Sequence, residues 1–324
     1  MLERFRDALG AASTSVLRSS SWDLRSTPNN AIDHGNQGHA TVERYEIFDS
    51  VLMSAPSTTA KNKSALNYFP NLKIISDLLD SGRYVGDESG PVKVAIIDAG
   101  IHPSHPHIDR IYGYCDFSES VIANNEGTHH GSNMGHLIHT VAPCAEIYVA
   151  HAVIHVRDVR KVDIISMSFG FRNEPEEFLE VIQNTYDNLM FESASNFDSK
   201  EEASIRFPAR LKHRVICINS ADGNGNPSGG NPPHDPQRDN FSILGEDVPL
   251  GREFIPGLEP CAKFGDGASM ATAIAAGVAA LVLGFARRDE HREVRFLASL
   301  KSQLGMSAVL RAMTKGGVKG GSTL

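Results

Sequence analysis

Cysteine is scarce in this sequence of 324 residues, which contains only four, at positions 115, 144, 217 and 261. Small domains held together by disulfides are much richer in cysteine, so the composition excludes a disulfide scaffold. No two of the four are spaced as Cys-x-x-Cys, which argues against a zinc ribbon. We therefore expect free thiols that pack as small apolar side chains.

An excess of positive charge is also missing. The sequence has 31 Lys and Arg residues against 39 Asp and Glu residues, for a net charge of -8 at pH 7. Proteins that bind nucleic acid through a broad basic face need the opposite balance, because they neutralise phosphates. The charge balance therefore argues against a nucleic-acid partner.

A long apolar run is absent from the N-terminus. Four of the first seven residues are charged, and no run of about 7–15 apolar residues follows, as a secretory signal peptide requires. The longest stretch of low polarity, residues 271–286, is shorter than the roughly 20 residues of helix that cross a bilayer. We therefore expect a cytoplasmic protein with no membrane partner, in which residues 271–286 belong to a buried helix.

The chain divides into three parts. Residues 1–90 carry helical patterns at 1–20 and 68–84, the second opening after Pro70, and lack the period-two alternation of strands. The run Asp87-Glu88-Ser89-Gly90-Pro91 is typical of a linker, so we place a domain boundary there. Residues 91–315 form the predicted main domain, and residues 316–324, with four glycines, a flexible tail.

The main domain has a regular alternation of strand and helix patterns. Short apolar runs rich in β-branched residues occur at 92–97, 146–149, 164–167 and 215–218, as is typical of strands buried on both faces of a parallel sheet. Helical patterns lie between them, for example at 174–190. This alternation predicts an α/β fold with a parallel central sheet and helices on both faces, preceded by a mostly helical or irregular N-terminal region.

Asp98 is the first residue of chemical interest. It directly follows the predicted strand at 92–97, and functional groups in open α/β sheets cluster at the carboxyl ends of the strands. Because Ala99 and Gly100 come next, Asp98 is also typical of a residue that only forms a turn. The segment alone leaves both alternatives open.

Histidines are dense between residues 128 and 139. One of them has the pKa that suits a general base at neutral pH. Metal binding is the weaker alternative, because His130 and His136 are six residues apart and do not share a helix face, and no nearby Glu completes a His-Glu-x-x-His arrangement for His136 and His139. We assign no metal site.

Ser269 lies between a loop of small residues and an almost wholly apolar segment, residues 270–285. A helix that is apolar on all sides is buried in the middle of a domain. Two alternatives remain open for this serine. It is either an ordinary N-cap, or a nucleophile at the positive end of the helix dipole, where a developing anion is stabilised.

Taken together, these residues occur in the order Asp, His, Ser, which is one order in which a nucleophilic triad is assembled. Three segments resemble the Asp, His and Ser motifs of the subtilisin-like serine peptidases: Ala95-Ile96-Ile97-Asp98-Ala99-Gly100-Ile101, His130-Gly131-Ser132-Asn133-Met134-Gly135 and Gly267-Ala268-Ser269-Met270-Ala271-Thr272-Ala273. Weaker matches at 141–149, 163–170, 194–196 and 240–242 follow the family's order, so the resemblance covers residues 91–313.

The resemblance implies a three-layer fold and a serine endopeptidase that acts on proteins or peptides. In that family's logic Ser269 is the nucleophile, His130 the general base, with His129 as a weaker alternative, and Asp98 orients the imidazole. The resemblance also implies that Asn196 helps to hold the oxyanion. It further implies that Ser168, Phe169 and Gly170 line the cleft and pair with an extended substrate. No cofactor is implied, and the sequence has no acidic loop typical of a calcium site.

Four positions around the triad depart from the family's motifs, and Asn196 is followed by Phe197-Asp198 where the family has a small-residue turn. Asn133 replaces the second histidine of the His motif and His136 its closing glycine, while Ala268 and Ala273 replace a threonine and a proline around Ser269. None of these changes removes a triad residue. They keep open an alternative function, that of a catalytically weak or inactive pseudo-peptidase that binds peptides or partner proteins.

The N-terminal region has no match in the family. Secreted relatives carry an N-terminal pro-segment with an alternating β pattern, which residues 1–90 lack. We therefore expect these residues to make a regulatory or scaffolding contact, and the alternative is that they simply cover part of the surface of the main domain.

Overall fold

The computed structural model describes residues 46–47, 60–80, 90–98, 100–101, 111–115, 125–150, 161–195, 205–253, 261–288, 297–318 and 321–323. Within these residues the strands are β1 (Glu46–Ile47), β2 (Lys93–Ile97), β3 (Ile111–Cys115), β4 (Glu146–Ala150), β5 (Ile164–Met167), β6 (Phe169–Gly170), β7 (Leu189–Ser193), β8 (Val215–Ala221), β9 (Phe241–Leu244), β10 (Val248–Glu253), β11 (Cys261–Gly265), β12 (Lys315–Val318) and β13 (Gly321–Thr323). The helices are α1 (Ala60–Asp80), α2 (Asn125–Val141), α3 (Glu176–Gln183), α4 (Ala268–Ala286), α5 (Leu297–Leu300) and α6 (Gln303–Met313).

A parallel sheet forms the centre of the fold. Seven strands run parallel in the order β3-β4-β2-β5-β7-β8-β9, and β13 and then β12 extend the β9 edge. The predicted strands at 92–97, 146–149, 164–167 and 215–218 correspond to β2, β4, β5 and β8. The predicted parallel α/β sheet is therefore confirmed.

Side chains of the central strands are buried on both faces of the sheet. In β2, Val94 and Ile96 pack in the larger part of the core, whereas Ala95 and Ile97 pack in the smaller part on the opposite face. This two-sided burial explains why the strand is apolar without alternation.

Helices cover both faces and complete three layers. On one face α2 and α4 pack against each other, and Gly277 of α4 lies so close to α2 that an added Cβ would sit 2.8 Å from the Cβ of Val141. Helix α4 is long and apolar enough to cross a membrane, but every residue except Phe285 is buried in the core. On the other face, α3 buries Ile182.

In helix α1, packing against the core outweighs the helix-breaking effect of a proline. The sequence predicts a helix that opens after Pro70, but α1 begins at Ala60 and contains Pro70 in its interior. A proline inside a helix costs about 3 kcal/mol, because it removes one hydrogen bond and crowds the preceding turn. Ala65, Leu72 and Ile75 lie on one face of α1 and are buried in the same core as α2 and α4, which offsets this cost.

Two further segments differ from the sequence patterns. The helix predicted at 174–190 ends at Gln183, and β7 begins at Leu189. Within the segment predicted as a flexible tail, residues 316–318 and 321–323 belong to the edge strands β12 and β13. In addition, β1 pairs antiparallel with β6, and β10 with β11, outside the central sheet.

Candidate catalytic site

Asp98 and His130 are in direct contact at the carboxyl edge of the sheet. Asp98 follows β2, and His130 lies in the first half of α2. The Oδ2 atom of Asp98 is 2.7 Å from Nδ1 of His130, and each side chain is only 3% exposed. A carboxylate only accepts, so the Nδ1–H of His130 is assigned as the donor. This assignment leaves Nε2 of the neutral imidazole as the atom that takes up a proton.

Gly131 explains how the imidazole reaches the carboxylate. A Cβ at this position would collide with the carbonyl oxygen of Gly100 and lie 3.3 Å from the Cβ of Asp98. Only glycine therefore allows the backbone of α2 to pack directly on the turn that follows β2. Gly100 itself has φ 121°, a conformation that favours glycine.

Ser269 is not an N-cap, so that alternative is wrong. The N-cap of α4 is Gly267, which has φ 141° and no side chain to cap the helix, and Ser269 is the second helical residue and fully buried. By contrast, Ser302 is a true N-cap, because its side chain accepts a hydrogen bond of 3.1 Å from the amide of Gly305.

The turn before Ser269 is fixed by its neighbours. The Gly267 amide donates a 2.7 Å hydrogen bond to the carbonyl of Gly245. A φ of 141° is accessible mainly to glycine, so Gly267 is required for the chain to enter α4 in this direction. The first amides of a helix have no partner within the helix, and Ser269 therefore lies at the positive end of the α4 dipole.

The predicted substrate-binding residues continue from β5 into β6. The Phe169 amide donates a 3.1 Å hydrogen bond to Oε1 of Glu192, and Phe171 exchanges two backbone hydrogen bonds with Phe207. In an extended chain successive residues face opposite ways, so the backbone groups of Gly170 face away from β7. On that outer side β1 pairs with β6, with Glu46 opposite Gly170 and Ile47 opposite Phe169.

The predicted oxyanion residue, Asn196, lies outside the described residues. The described chain ends just before it, at Ser195, which is buried and has φ 144°. A non-glycine residue in this region costs about 1–3 kcal/mol, and such residues concentrate at functional sites.

Of two buried titratable residues at this edge, Glu192 was not singled out from the sequence, whereas Cys217 is the buried free thiol that the sequence predicts. Burial raises the pKa of Glu192 well above its usual range, and the charge of Asp98 acts in the same direction. Burial raises the pKa of the Cys217 thiol to about 12, so this thiol is not a nucleophile near neutral pH. The available signal for Glu192 was a single acidic residue within an otherwise apolar segment, which is a weak one.

The four departures from the family's motifs lie around these residues. Asn133, Ala268 and Ala273 are buried, and His136 is half-buried on α2. The Nδ2 atom of Asn133 has no hydrogen-bond partner within the described part of the chain. Among these same residues, no three His, Cys, Asp or Glu side chains are grouped as metal ligands.

Two comparisons with known proteins identify what the chain is similar to. The family model of the subtilase family matches residues 89–316. The chain is also 27% identical to the "Subtilisin-like protease het-Q2" of Podospora anserina, in an alignment that covers 72% of this chain and 82% of that protein.

Proposed function

The chain belongs to the subtilase family, and from this premise we propose that it is a serine endopeptidase that cleaves peptide bonds through Asp98, His130 and Ser269. The observation that carries the proposal is the 2.7 Å contact between Asp98 and His130. It lies beside the residues that follow a parallel strand, where α/β enzymes keep their reactive groups. Members of this family are serine peptidases, and the finer assignment of roles rests on the motifs and on this contact.

The proposed reaction has two steps. Ser269 Oγ attacks the peptide carbonyl carbon while His130 Nε2 accepts the hydroxyl proton and then delivers it to the leaving amine, so that an acyl-enzyme forms as the C–N bond breaks. Water then attacks the ester, gives its proton to His130, and the acid product leaves as Ser269 regains a proton. Asp98 keeps Nδ1 protonated and stabilises the imidazolium formed in each step.

The oxyanion would be held at the start of α4. The Ser269 amide is at the helix N-terminus, and the Asn196 side chain is the second proposed donor. Removing one such donor typically lowers the rate about 100- to 1,000-fold. The peptide substrate would add as an extended strand to Ser168, Phe169 and Gly170.

Labelling with a fluorophosphonate tests the proposal. The wild-type protein should be labelled at Ser269, and Ser269→Ala should abolish both labelling and peptide cleavage. The matched control is Ser302→Ala, which removes a true N-cap serine from α6 and should leave labelling intact. Labelling that persists in Ser269→Ala would overturn the assignment of the nucleophile, and chelator-sensitive cleavage in that variant would favour a metal-dependent hydrolase.

A pseudo-peptidase is the second candidate, and the full burial of Ser269 favours it. A serine that no reagent reaches would leave the folded protein unlabelled. In that case the protein would still bind peptides at β6 without cleaving them. Absence of labelling in folded wild-type protein, together with measurable peptide binding, would support this alternative.

Residues 1–90 are proposed to make a regulatory contact through β1. This strand pairs antiparallel with Phe169 and Gly170, the residues to which a substrate strand would add. The Phe169 amide donates its hydrogen bond to Glu192 and therefore does not face β1. Since hydrogen-bonded and non-hydrogen-bonded pairs alternate along an antiparallel ladder, Glu46 and Gly170 are the pair that exchanges both backbone hydrogen bonds. Substrate and residues 46–47 would therefore compete for the same edge of β6.

A further inference from the structure

Glu192 is an acidic side chain completely buried inside the central sheet. It lies near the carboxyl end of β7, opposite Met167 of β5 and Cys217 of β8. Its Oε1 atom accepts hydrogen bonds from the amides of Phe169 and Ser193, at 3.1 Å and 3.2 Å, and from the Ser193 hydroxyl at 3.3 Å. Its Oε2 atom has no hydrogen-bond partner among the residues that the structure describes.

The hydrogen bond from the Phe169 amide to Glu192 determines which backbone groups of β6 point outward. Phe169 lies between Ser168 and Gly170, and its amide is turned inward to Glu192. Two residues further on, both backbone groups of Phe171 are turned inward to Phe207. Gly170, between these two anchors, must therefore turn its N–H and C=O outward, towards the position that β1 occupies.

We propose that Glu192 is a positioning residue for peptide binding: by accepting the inward amide of Phe169, it fixes the outward backbone groups of Gly170 that pair with an extended peptide. Strands β5 and β7 pair with each other in the sheet, and the acceptor that the Phe169 amide meets is the side chain of Glu192. The inference rests on the proposed binding of peptides at β6 and extends it to a residue that touches no substrate.

The protonation state of Glu192 fits this role. Burial and the neighbouring Asp98 both raise its pKa, a direction that favours the neutral acid, in which Oε1 is a carbonyl acceptor. The titratable groups that face it from the neighbouring described strands are Asp98, after β2, and the Cys217 thiol of β8. A neutral acceptor holds Phe169 without adding a second negative charge beside the pair of Asp98 and His130.

The test compares Glu192→Leu, which removes the acceptor, with Glu192→Gln, which keeps a carbonyl of the same reach. Met190→Ala is the matched control, because Met190 is buried on the same strand two residues earlier. All variants also carry Glu46→Pro, so that residues 46–47 do not compete with the ligand. Kinetics are measured for a blocked tetrapeptide anilide and for a single-residue ester. Tetrapeptide affinity is measured separately in the Ser269→Ala background.

We expect Glu192→Leu to weaken tetrapeptide binding and raise the anilide KM by about tenfold, the equivalent of one or two lost hydrogen bonds. Ester hydrolysis should change less than threefold, because the ester does not use Gly170. Glu192→Gln should restore tetrapeptide binding, and Met190→Ala should leave the ratio of the two substrates unchanged.

Three results among the variants would overturn the proposal. They are an unchanged tetrapeptide affinity in Glu192→Leu, an equal loss for tetrapeptide and ester, and failure of Glu192→Gln to restore binding. A parent protein that binds no tetrapeptide at all would overturn it too. If the parent protein binds the tetrapeptide but cleaves nothing, the proposed catalysis fails while the binding comparison still decides the role of Glu192.

Discussion

Each edge of the central sheet carries a buried carboxylate with a cationic or titratable partner, and the two pairs differ in kind. At the amino edge, Asp163 before β5 accepts hydrogen bonds from both terminal nitrogens of Arg287 and from the Lys93 amide. At the carboxyl edge, Asp98 after β2 binds the Nδ1 atom of His130. Both carboxylates are almost completely removed from solvent.

The difference lies in the partner of each carboxylate. A guanidinium keeps its proton at every pH that a folded protein tolerates, so Asp163 and Arg287 form a permanent link between the end of α4 and the start of β5. An imidazole exchanges its proton near neutral pH. A buried carboxylate is therefore structural where its partner never titrates, and it suits catalysis where its partner exchanges protons beside a binding edge.

The largest expected effect is at the carboxyl edge. In Asp98→Asn the amide favours the wrong tautomer of His130, and we expect kcat for peptide cleavage to fall about 10,000-fold. The side chain keeps its size and a hydrogen bond, so the thermal unfolding midpoint should move by only a few degrees. Loss of less than tenfold in kcat, measured on protein of verified fold, would contradict the assigned role.

The amino edge should respond in the opposite way. Asp163→Ala leaves the Arg287 guanidinium buried without its carboxylate, and breaking such a pair costs about 3–5 kcal/mol in the free energy of unfolding. The exposed pair of Arg311 and Asp239 is the control, because Asp239→Ala should cost about 1 kcal/mol or less. Urea unfolding measures both, and kcat of the folded Asp163→Ala protein should stay within threefold of wild type. A larger change in kcat would show that the two edges are not separable.

Glu192 adds to this comparison a buried carboxyl group whose contribution to the free energy of unfolding depends on pH. The pKa of Glu192 is raised in the folded state, whereas in the unfolded chain it is about 4.3. At a pH between these two pKa values, the folded protein holds a proton that the unfolded chain has released. This contribution to stability is complete below the ordinary pKa and is lost as pH rises, by about 1.4 kcal/mol per pH unit. Glu192→Gln does not titrate. Relative to wild type, its free energy of unfolding should therefore rise between pH 5 and pH 8 in urea titrations, and parallel curves would contradict a raised pKa.

Local patterns predicted the parts of the fold that depend on neighbouring residues in sequence. Strands β2, β4, β5 and β8 are continuous apolar runs, and α4 is apolar on all sides, so each is recognisable alone. The short motifs around Asp98 and His130 also predicted that these two residues act together, because each motif is recognisable from a few neighbouring residues.

The remaining features depend on distant partners. The helix predicted at 174–190 overlaps the first two residues of β7, Leu189 and Met190, and pairing with β5 and β8 makes this segment a strand. Helix α1 runs through Pro70 because its buried face packs on the core. The two residues of β1 have no periodicity that a pattern could detect, and the structure shows them as a strand through their pairing with β6.

The smallest expected effect concerns β1, at the outer side of the carboxyl edge. Glu46→Pro removes the amide that faces Gly170, and losing one or two backbone hydrogen bonds should release β6 and raise kcat/KM for a tetrapeptide by up to about tenfold. Ile47→Pro is the matched control, because Ile47 is opposite Phe169 and its amide faces away from β6. If both prolines raise activity equally, residues 46–47 act by something other than pairing with β6. If neither does, β1 does not compete with substrate for the edge of β6.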